Sequence, residues 1–119
     1  MKVLSLFDGI SCGMLALQRA GIPVECYDAF EIDKYAVTVS KRNFPVIVHH
    51  GNVYDGDFTQ FKGYDLLLGG SPCTYWSIAK KDREVDCNGE GFRLFKEYVR
   101  ALEESGCKYF LYENNYSVH

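Results

Sequence analysis

Short apolar runs alternate along this chain with segments whose apolar residues recur at helical spacing. The segment over 13–20 is typical of a helix that ends at Gly21, and the segment over 34–43 predicts a second helix that ends before Pro45. Phe95, Val99 and Leu102 predict the buried stripe of a third helix, which starts at residue 92 and stops near residue 106. Residues 71–90 lack periodicity and predict a long surface loop. The apolar runs predict strands over 2–6, 24–30, 46–48, 64–68 and 109–112.

Strands that alternate with helices at short spacing indicate a mainly parallel sheet in an α/β domain. We found no linker or internal repeat, so residues 1–119 are treated as one domain. Ligands of such sheets bind where loops leave the carboxyl ends of the strands. The residues that follow Leu6, Phe30, Leu68 and Tyr112 are therefore expected to line one rim.

The composition fits a soluble globular domain without a membrane span. Of the 119 residues, 47% are hydrophobic and 24% are charged. A net charge of -3 and a pI near 5.5 differ from the basic face of a free-standing nucleic-acid binder. They argue against independent DNA binding, although they do not address a surface supplied by a partner.

The five cysteines form an odd set without C-x-x-C spacing. This argues against a disulfide framework and against a zinc site, and it predicts a reducing cytoplasm and no metal. Cys73 differs from the others because it follows Gly69-Gly70-Ser71-Pro72 at a strand end and opens the long loop, where a thiol would be accessible. Glu113 ends the last strand and is predicted to lie on the same rim.

Histidine chemistry is less well supported. A Cys-His hydrolase would need a histidine partner, and the chain offers only the adjacent His49 and His50 and the terminal His119. Adjacent strand residues point to opposite sides, so the pair is more typical of a polar strand end than of metal ligands.

Three further features of the rim each have two interpretations. The turn over 7–13 would let the backbone pass close to a ligand, or it is only a tight turn; its spacing is not that of a dinucleotide site. Glu31 follows the second strand, where an acid can accept from ribose hydroxyls, but a solvated acid beside Asp33 at a helix start is the more common case. Asn52 could bond an adenine edge or serve as a turn residue.

Taken together and in order, these segments resemble the DNA cytosine-5 methyltransferase family over nearly the whole chain. The first segment has the form seen in the de novo branch of that family. The matching positions are Phe7-Asp8-Gly9-Ile10 with Gly13, Glu31-Ile32, Gly51-Asn52-Val53, Gly69-Gly70-Ser71-Pro72-Cys73, and Glu113-Asn114-Asn115.

The resemblance implies a Rossmann-like fold that uses S-adenosyl-L-methionine, releases S-adenosyl-L-homocysteine and methylates C5 of cytosine in DNA. It implies that the Cys73 thiolate adds to C6 of a flipped cytosine, while Glu113 bonds N3 and the exocyclic amine. A cytoplasmic, DNA-associated protein of prokaryotic or phage type, as in restriction-modification systems, follows from the same resemblance. The implied cofactor-binding residues are Phe7, Asp8, Gly9, Ile10, Gly13, Glu31, Ile32, Asn52, Val53 and Pro72.

The chain departs from the family in three places. Asn52 stands where the family usually has Asp, Asn115 stands where it usually has Val, and the motifs expected after Glu113 are not found in the residues that follow. We therefore expect an N-terminal, partial catalytic domain whose sheet is incomplete at its C-terminal side. Its open edge would pair with a complementing subunit or with a second copy. The alternatives are a non-catalytic remnant that acts as an interaction module, and an RNA cytosine-5 methyltransferase.

Overall fold

The described part of the chain forms a five-stranded parallel sheet, as the alternating pattern predicts. The structure, a computed structural model, describes residues 1–70 and 89–114. The predicted surface loop lies outside the described residues except for Gly89 and Glu90. The elements are β1 Lys2–Leu6, α1 Cys12–Arg19, β2 Cys26–Phe30, α2 Lys34–Asn43, β3 Val48–His49, two 3-10 helices Val53–Asp55 and Phe58–Phe61, β4 Leu66–Gly69, α3 Glu90–Ser105, and β5 Tyr109–Tyr112.

The third strand is shorter in the structure than the apolar run predicts. The run over 46–48 yields only Val48 and His49 as strand, and these pair with Asp28 and Ala29 of β2. Val46 is 74% exposed at this edge of the sheet, so its apolar side chain does not mark a buried strand position.

The strand order β3-β2-β1-β4-β5 brings the ends of four strands to one level. Leu6 is in register with Phe30 on one side and with Gly69 on the other, and Gly69 is in register with Tyr112. Because all these strands are parallel, the residues that follow them leave the sheet at the same rim. The order reverses between β1 and β4, which is where open α/β sheets place their ligand crevice.

The core lies on both faces of the sheet, because alternate residues of β1 point to opposite sides. Val3 packs with the buried residues of α1 and β2, whereas Leu4 and Leu6 pack with α3 and the 3-10 helices. All three side chains are fully buried. Two helical layers therefore enclose the central strand, which gives the three-layer arrangement of an α/β domain.

Arg100 fastens α3 to the segment that carries the two 3-10 helices. Its guanidinium donates to the carbonyl oxygens of Val53 at 3.0 Å and Gly56 at 2.9 Å. It lies 4.5 Å from the centre of the Phe58 ring and is also paired with Glu97 and Glu104. These contacts hold Val53 and its neighbours beside the start of α3.

Candidate active site

The turn from β1 to α1 has an unusual backbone. Phe7 and Ser11 have positive φ angles of 55° and 71°, which side chains other than glycine rarely adopt, and Gly9 between them has a φ of 60°. The carboxylate of Asp8 accepts from the hydroxyls of Ser5 at 2.7 Å and Tyr27 at 2.6 Å, and also from Ser11. The turn is thereby tied to both neighbouring strands.

Glu31 joins this turn to the start of α2. One carboxylate oxygen accepts from the backbone N–H of Gly9 at 2.8 Å. The other accepts from the N–H groups of Ile32 at 3.0 Å and Asp33 at 2.9 Å. A carboxylate has about four lone-pair positions, so it can still accept from a ligand. Glu31 is therefore held in place by three amides and keeps acceptor capacity.

A pocket of about 230 Å³ opens beside Glu31 at the rim. Its wall is mostly apolar and includes two carboxylates, Glu31 after β2 and Glu90 at the start of α3. Five of the predicted cofactor residues line it: Phe7, Glu31, Ile32, Asn52 and Val53. The other lining residues are Phe30, Gly51, Tyr54, Glu90 and Leu94.

The pocket is bridged by Tyr54 and Glu90, which are far apart in sequence. The Tyr54 hydroxyl donates to Oε1 of Glu90 at 2.8 Å, and this bond joins the segment after β3 to the first turn of α3. Burial, and then the bond to Glu90, raise the pKa of Tyr54 to about 12. The tyrosine therefore stays a donor at neutral pH.

Four more of the predicted cofactor residues are described but do not line the pocket: Asp8, Gly9, Ile10 and Gly13. Asp8 points to its three hydroxyl donors, and Ile10 is 49% exposed. Gly13 packs against β2, because a Cβ there would lie 2.9 Å from the Tyr27 hydroxyl oxygen. Gly9 reaches the site through its bond to Glu31. Pro72 lies outside the described residues.

Glu113 lies at the rim next to the end of β4. Its N–H donates to the carbonyl of Gly69 at 2.9 Å. An added Cβ at Gly70 would lie 2.4 Å from the carbonyl oxygen of Glu113 and 2.8 Å from its Oε2. The acid is thus adjacent to the residue from which the Ser71-Pro72-Cys73 segment continues. Cys73 itself, with the departure at Asn115, lies outside the described residues.

Within residues 1–70 and 89–114, no group of three or more His, Cys, Asp or Glu side chains is placed to hold a metal ion. None of the helices in the same ranges combines the length and apolar character needed to cross a membrane.

Comparison with known proteins identifies the family of this chain. The model of the C-5 cytosine-specific DNA methylase family matches residues 1–118. The chain belongs to this family. It is 38% identical over 118 residues to the orphan methyltransferase M.SPRI of Bacillus phage SPR, and 36% identical over 118 residues to the orphan methyltransferase M.Rho11sI of Bacillus phage rho11s. These matches cover 96% of this chain but 26% and 23% of the two relatives, so the chain spans about a quarter of their length.

Solved structures show the same fold for this methylase-family chain. A triple mutant of DNMT2 from Spodoptera frugiperda matches with a TM-score of 0.74 at 25% identity, over 97% of this chain and 35% of that one. The Dnmt2 methyltransferase of S. pombe matches with a TM-score of 0.70 at 21% identity, over 98% and 36% of the two chains. The predicted Rossmann-like methyltransferase fold is confirmed.

Five of the residues that line this pocket were not among the predicted cofactor-binding residues: Phe30, Gly51, Tyr54, Glu90 and Leu94. Phe30 ends a run that predicts a strand, and Leu94 lies outside the predicted stripe of the third helix, so neither pattern gave a sign of a ligand. Tyr54 and Glu90 meet across 36 residues, a contact that no local spacing reveals. Phe30 could have been found from the sequence, because it directly precedes Glu31 at the rim.

Proposed function

We propose that this chain binds S-adenosyl-L-methionine in the pocket beside Glu31 and carries the nucleophile for transfer of its methyl group to cytosine C5. The observation that carries the proposal is the Glu31 carboxylate, anchored by three backbone N–H groups on the wall of a mainly apolar pocket at the rim where the parallel strands end. Membership of the C-5 cytosine-specific DNA methylase family supports it.

The chemistry of the pocket fits the adenosine part of the cofactor. The flat base needs apolar walls, while its amine and the ribose hydroxyls are donors that suit carboxylates. The lining supplies both, with Glu31 and Glu90 as the acids. Pockets for whole drug-sized ligands measure about 300–1,000 Å³. At about 230 Å³, this pocket matches part of the cofactor, and the remainder would lie along the β1–α1 turn.

Individual residues receive roles on this basis. Glu31 accepts from the ribose, while Ile32 and Val53 flank the adenine. The Oδ1 of Asn52 already accepts from the N–H of Tyr54 at 2.9 Å, so its amide nitrogen is the group left to bond the adenine edge. Phe7 and the Gly9 backbone border the methionine portion. Ile10, Gly13 and Pro72 stay predictions from the resemblance.

The proposed reaction uses Cys73 and Glu113. When bound, S-adenosyl-L-methionine supplies an electrophilic methyl group. The Cys73 thiolate adds to C6 of the cytosine, and Glu113 hydrogen-bonds the ring edge while charge develops there. After C5 takes the methyl group, loss of the C5 proton and elimination of the thiolate restore the ring. The position of Glu113 beside Gly70, three residues before Cys73 in sequence, supports this pairing.

The partner that completes the enzyme is proposed to be the rest of a methylase of this family. Tyr109, Phe110 and Leu111 of β5 are 53%, 61% and 63% exposed. Since consecutive strand residues point to opposite faces, β5 has side chains that are more than half exposed on both faces, and β4 is its only strand neighbour among the described residues. An exposed apolar edge of this kind invites strand addition. The phage relatives, of which this chain spans about a quarter, support a further part of such a methylase as the partner that would add.

Calorimetry with S-adenosyl-L-homocysteine tests the cofactor site. Glu31→Ala is expected to weaken binding at least about tenfold, because charge-assisted hydrogen bonds contribute about 1.5–3 kcal/mol each. Glu25→Ala is the matched control, since Glu25 is 67% exposed at the opposite end of β2. Equal affinities of the two variants would sink the assignment, and absence of binding by the wild-type chain would favour the non-catalytic remnant.

Covalent trapping with 5-fluorocytosine oligonucleotides tests the reaction and the partner together. The C-terminal part of the phage SPR relative is added to this chain with S-adenosyl-L-methionine. A trapped adduct that needs both polypeptides and disappears in Cys73→Ser is expected with DNA. Preferential trapping of RNA would support the RNA methyltransferase instead, and a homodimer that excludes the added polypeptide would refute the proposed partner.

A further inference from the structure

We propose that Asp8 is a positioning residue, which holds the β1–α1 turn in the strained form that presents Phe7 and Gly9 to the cofactor pocket. The inference rests on the proposed cofactor site and deepens it. It assigns Asp8 a role through the turn rather than through contact with the cofactor, because its carboxylate is directed at protein hydroxyls.

The turn needs such a support because its backbone is costly. Non-glycine residues in the left-handed region cost about 1–3 kcal/mol each and persist where the surroundings fix them. Phe7 and Ser11, with φ of 55° and 71°, are two such residues within five positions. Asp8 lies between them, and its carbonyl accepts from the N–H of Ser11 at 3.1 Å.

The carboxylate of Asp8 gathers donors from three separate elements. Ser5 belongs to β1, Tyr27 to β2, and Ser11 precedes α1. The backbone N–H of Asp8 also donates to the carbonyl of Phe30 at 3.2 Å. Burial and the neighbouring carboxylate raise the pKa of Tyr27 far above its usual range, so this tyrosine keeps its proton and remains a donor. Asp8 thus locks the turn to the two central strands.

The Ser11 side chain supports the turn instead of capping α1. A serine at the N-cap ordinarily accepts from the first helical N–H groups. Here Ser11 makes no side-chain cap and instead donates to Asp8, while its hydroxyl also lies within hydrogen-bonding distance of Ser40 in α2. Ser40 in turn lies 3.5 Å from Nε2 of His49 at the end of β3. The network therefore reaches from α1 to the edge of the sheet.

The turn contributes to the pocket through two residues. Phe7, the residue just before Asp8, lines the pocket directly. Gly9, the residue just after it, donates its N–H to Glu31 at 2.8 Å. If the turn relaxed, Phe7 would leave the wall and Glu31 would lose one of its three amides. Removal of Asp8 is therefore predicted to disturb the pocket while the sheet stays intact.

Hydrogen exchange of the ligand-free chain is the deciding measurement. In Asp8→Ala, the Gly9 amide is expected to exchange at least about tenfold faster relative to the Leu4 amide, which reports on the buried core strand; one charge-assisted hydrogen bond has that value. Asp8→Asn keeps one carbonyl acceptor and is expected to fall between wild type and alanine. Asn is the variant to measure if alanine does not fold.

Asp57→Ala is the matched control. Asp57 also accepts from a backbone N–H and a hydroxyl, both of Thr59, but it precedes a 3-10 helix and is not among the described residues that line the pocket beside Glu31. It is expected to lower overall stability without a selective change at Gly9. A similar Gly9 effect in both variants, or none in Asp8→Ala, would overturn the inference.

Titration with S-adenosyl-L-homocysteine separates this inference from the proposed function. Affinity is expected to fall about tenfold in Asp8→Ala at a temperature where both proteins are folded. Unchanged affinity beside a binding wild type would overturn the positioning role. A wild type that does not bind would contradict the proposed cofactor site, and exchange at Gly9 would still decide whether Asp8 holds the turn.

Discussion

Replacing Gly70 by alanine tests how closely the ends of β4 and β5 are packed beneath Glu113. The new methyl group would lie 2.4 Å from the carbonyl oxygen of Glu113 and 2.8 Å from its Oε2. Side-chain Cβ atoms essentially never approach other atoms below 3.0 Å. The carbonyl must therefore retreat by roughly 0.6 Å, and it belongs to the backbone rather than to a flexible side-chain tip.

The loss of stability in Gly70→Ala depends on how far β5 can move away from the new methyl group. Overpacking a well-packed site costs about 1–3 kcal/mol. The low end, about 1 kcal/mol, is expected here because β5 is an exposed edge strand of the described sheet and can shift outward. That loss corresponds to a Tm decrease of about 4 °C for a domain of this size. Most of the strain should appear as displacement of Glu113, whose N–H bonds the carbonyl of Gly69 at 2.9 Å.

The assay combines thermal unfolding with amide exchange at Glu113. Gly106→Ala is the matched control: it is the same substitution at a left-handed position, φ 63°, where a side chain costs about 1–2 kcal/mol. Both variants are expected to lose comparable stability, but only Gly70→Ala should accelerate exchange at Glu113. Equal exchange at Glu113 in the two variants would refute the close packing on which the Glu113 placement depends.

Two further predictions concern α3. Arg100→Met is expected to destabilise the fold by about 2–3 kcal/mol in urea unfolding, because the carbonyls of Val53 and Gly56 lose their hydrogen bonds from the guanidinium and the contact with Phe58 changes. The Val53 carbonyl keeps the N–H of Gly56 as a donor, so most of the loss should come from Gly56. Arg93→Met, which loses one exposed ion pair 3.8 Å long, should change stability by less than about 0.5 kcal/mol, and equal losses in the two variants would contradict the role of Arg100. The pKa of Tyr54 is raised from 10.0 to about 12 in the folded chain, so its contribution to stability is complete below pH 10 and is lost as pH rises toward 12. Tyr54→Phe should therefore lose less stability than wild type between those pH values, and parallel pH profiles would contradict the bond to Glu90.

Most strands and helices were predictable because each carries its own local pattern. The buried face of α3 was predicted wrongly, because Phe95, Val99 and Leu102 are only half-buried whereas Tyr98 and Ala101 are buried. The fully buried Val3, Leu4 and Leu6 form a continuous apolar run, as a central parallel strand requires. The third strand was overestimated because Val46 and Val48 are exposed at the edge of the sheet, where hydrophobicity does not report burial. Pattern therefore located the central strands better than this edge strand.

The pocket was predictable only in part, for a related reason. Parallel strands deliver the residues after them to one rim, so Phe7 and Glu31 could be placed together from the order of elements alone. The contact between Tyr54 and Glu90 and the gathering of Ser5, Ser11 and Tyr27 around Asp8 depend on tertiary packing. Neither has a spacing that a sequence pattern could show.

The two halves of the proposed chemistry are supported unequally within this chain. On the cofactor side, Glu31 is fixed by three backbone N–H groups, and ten described residues line the pocket beside it. The cytosine side depends on Glu113, which follows a strand whose three consecutive apolar residues are each more than half exposed. Covering β5 would bury those residues and restrict the strand that carries Glu113. We therefore expect the proposed cofactor binding to depend less on a partner polypeptide than the proposed methyl transfer does.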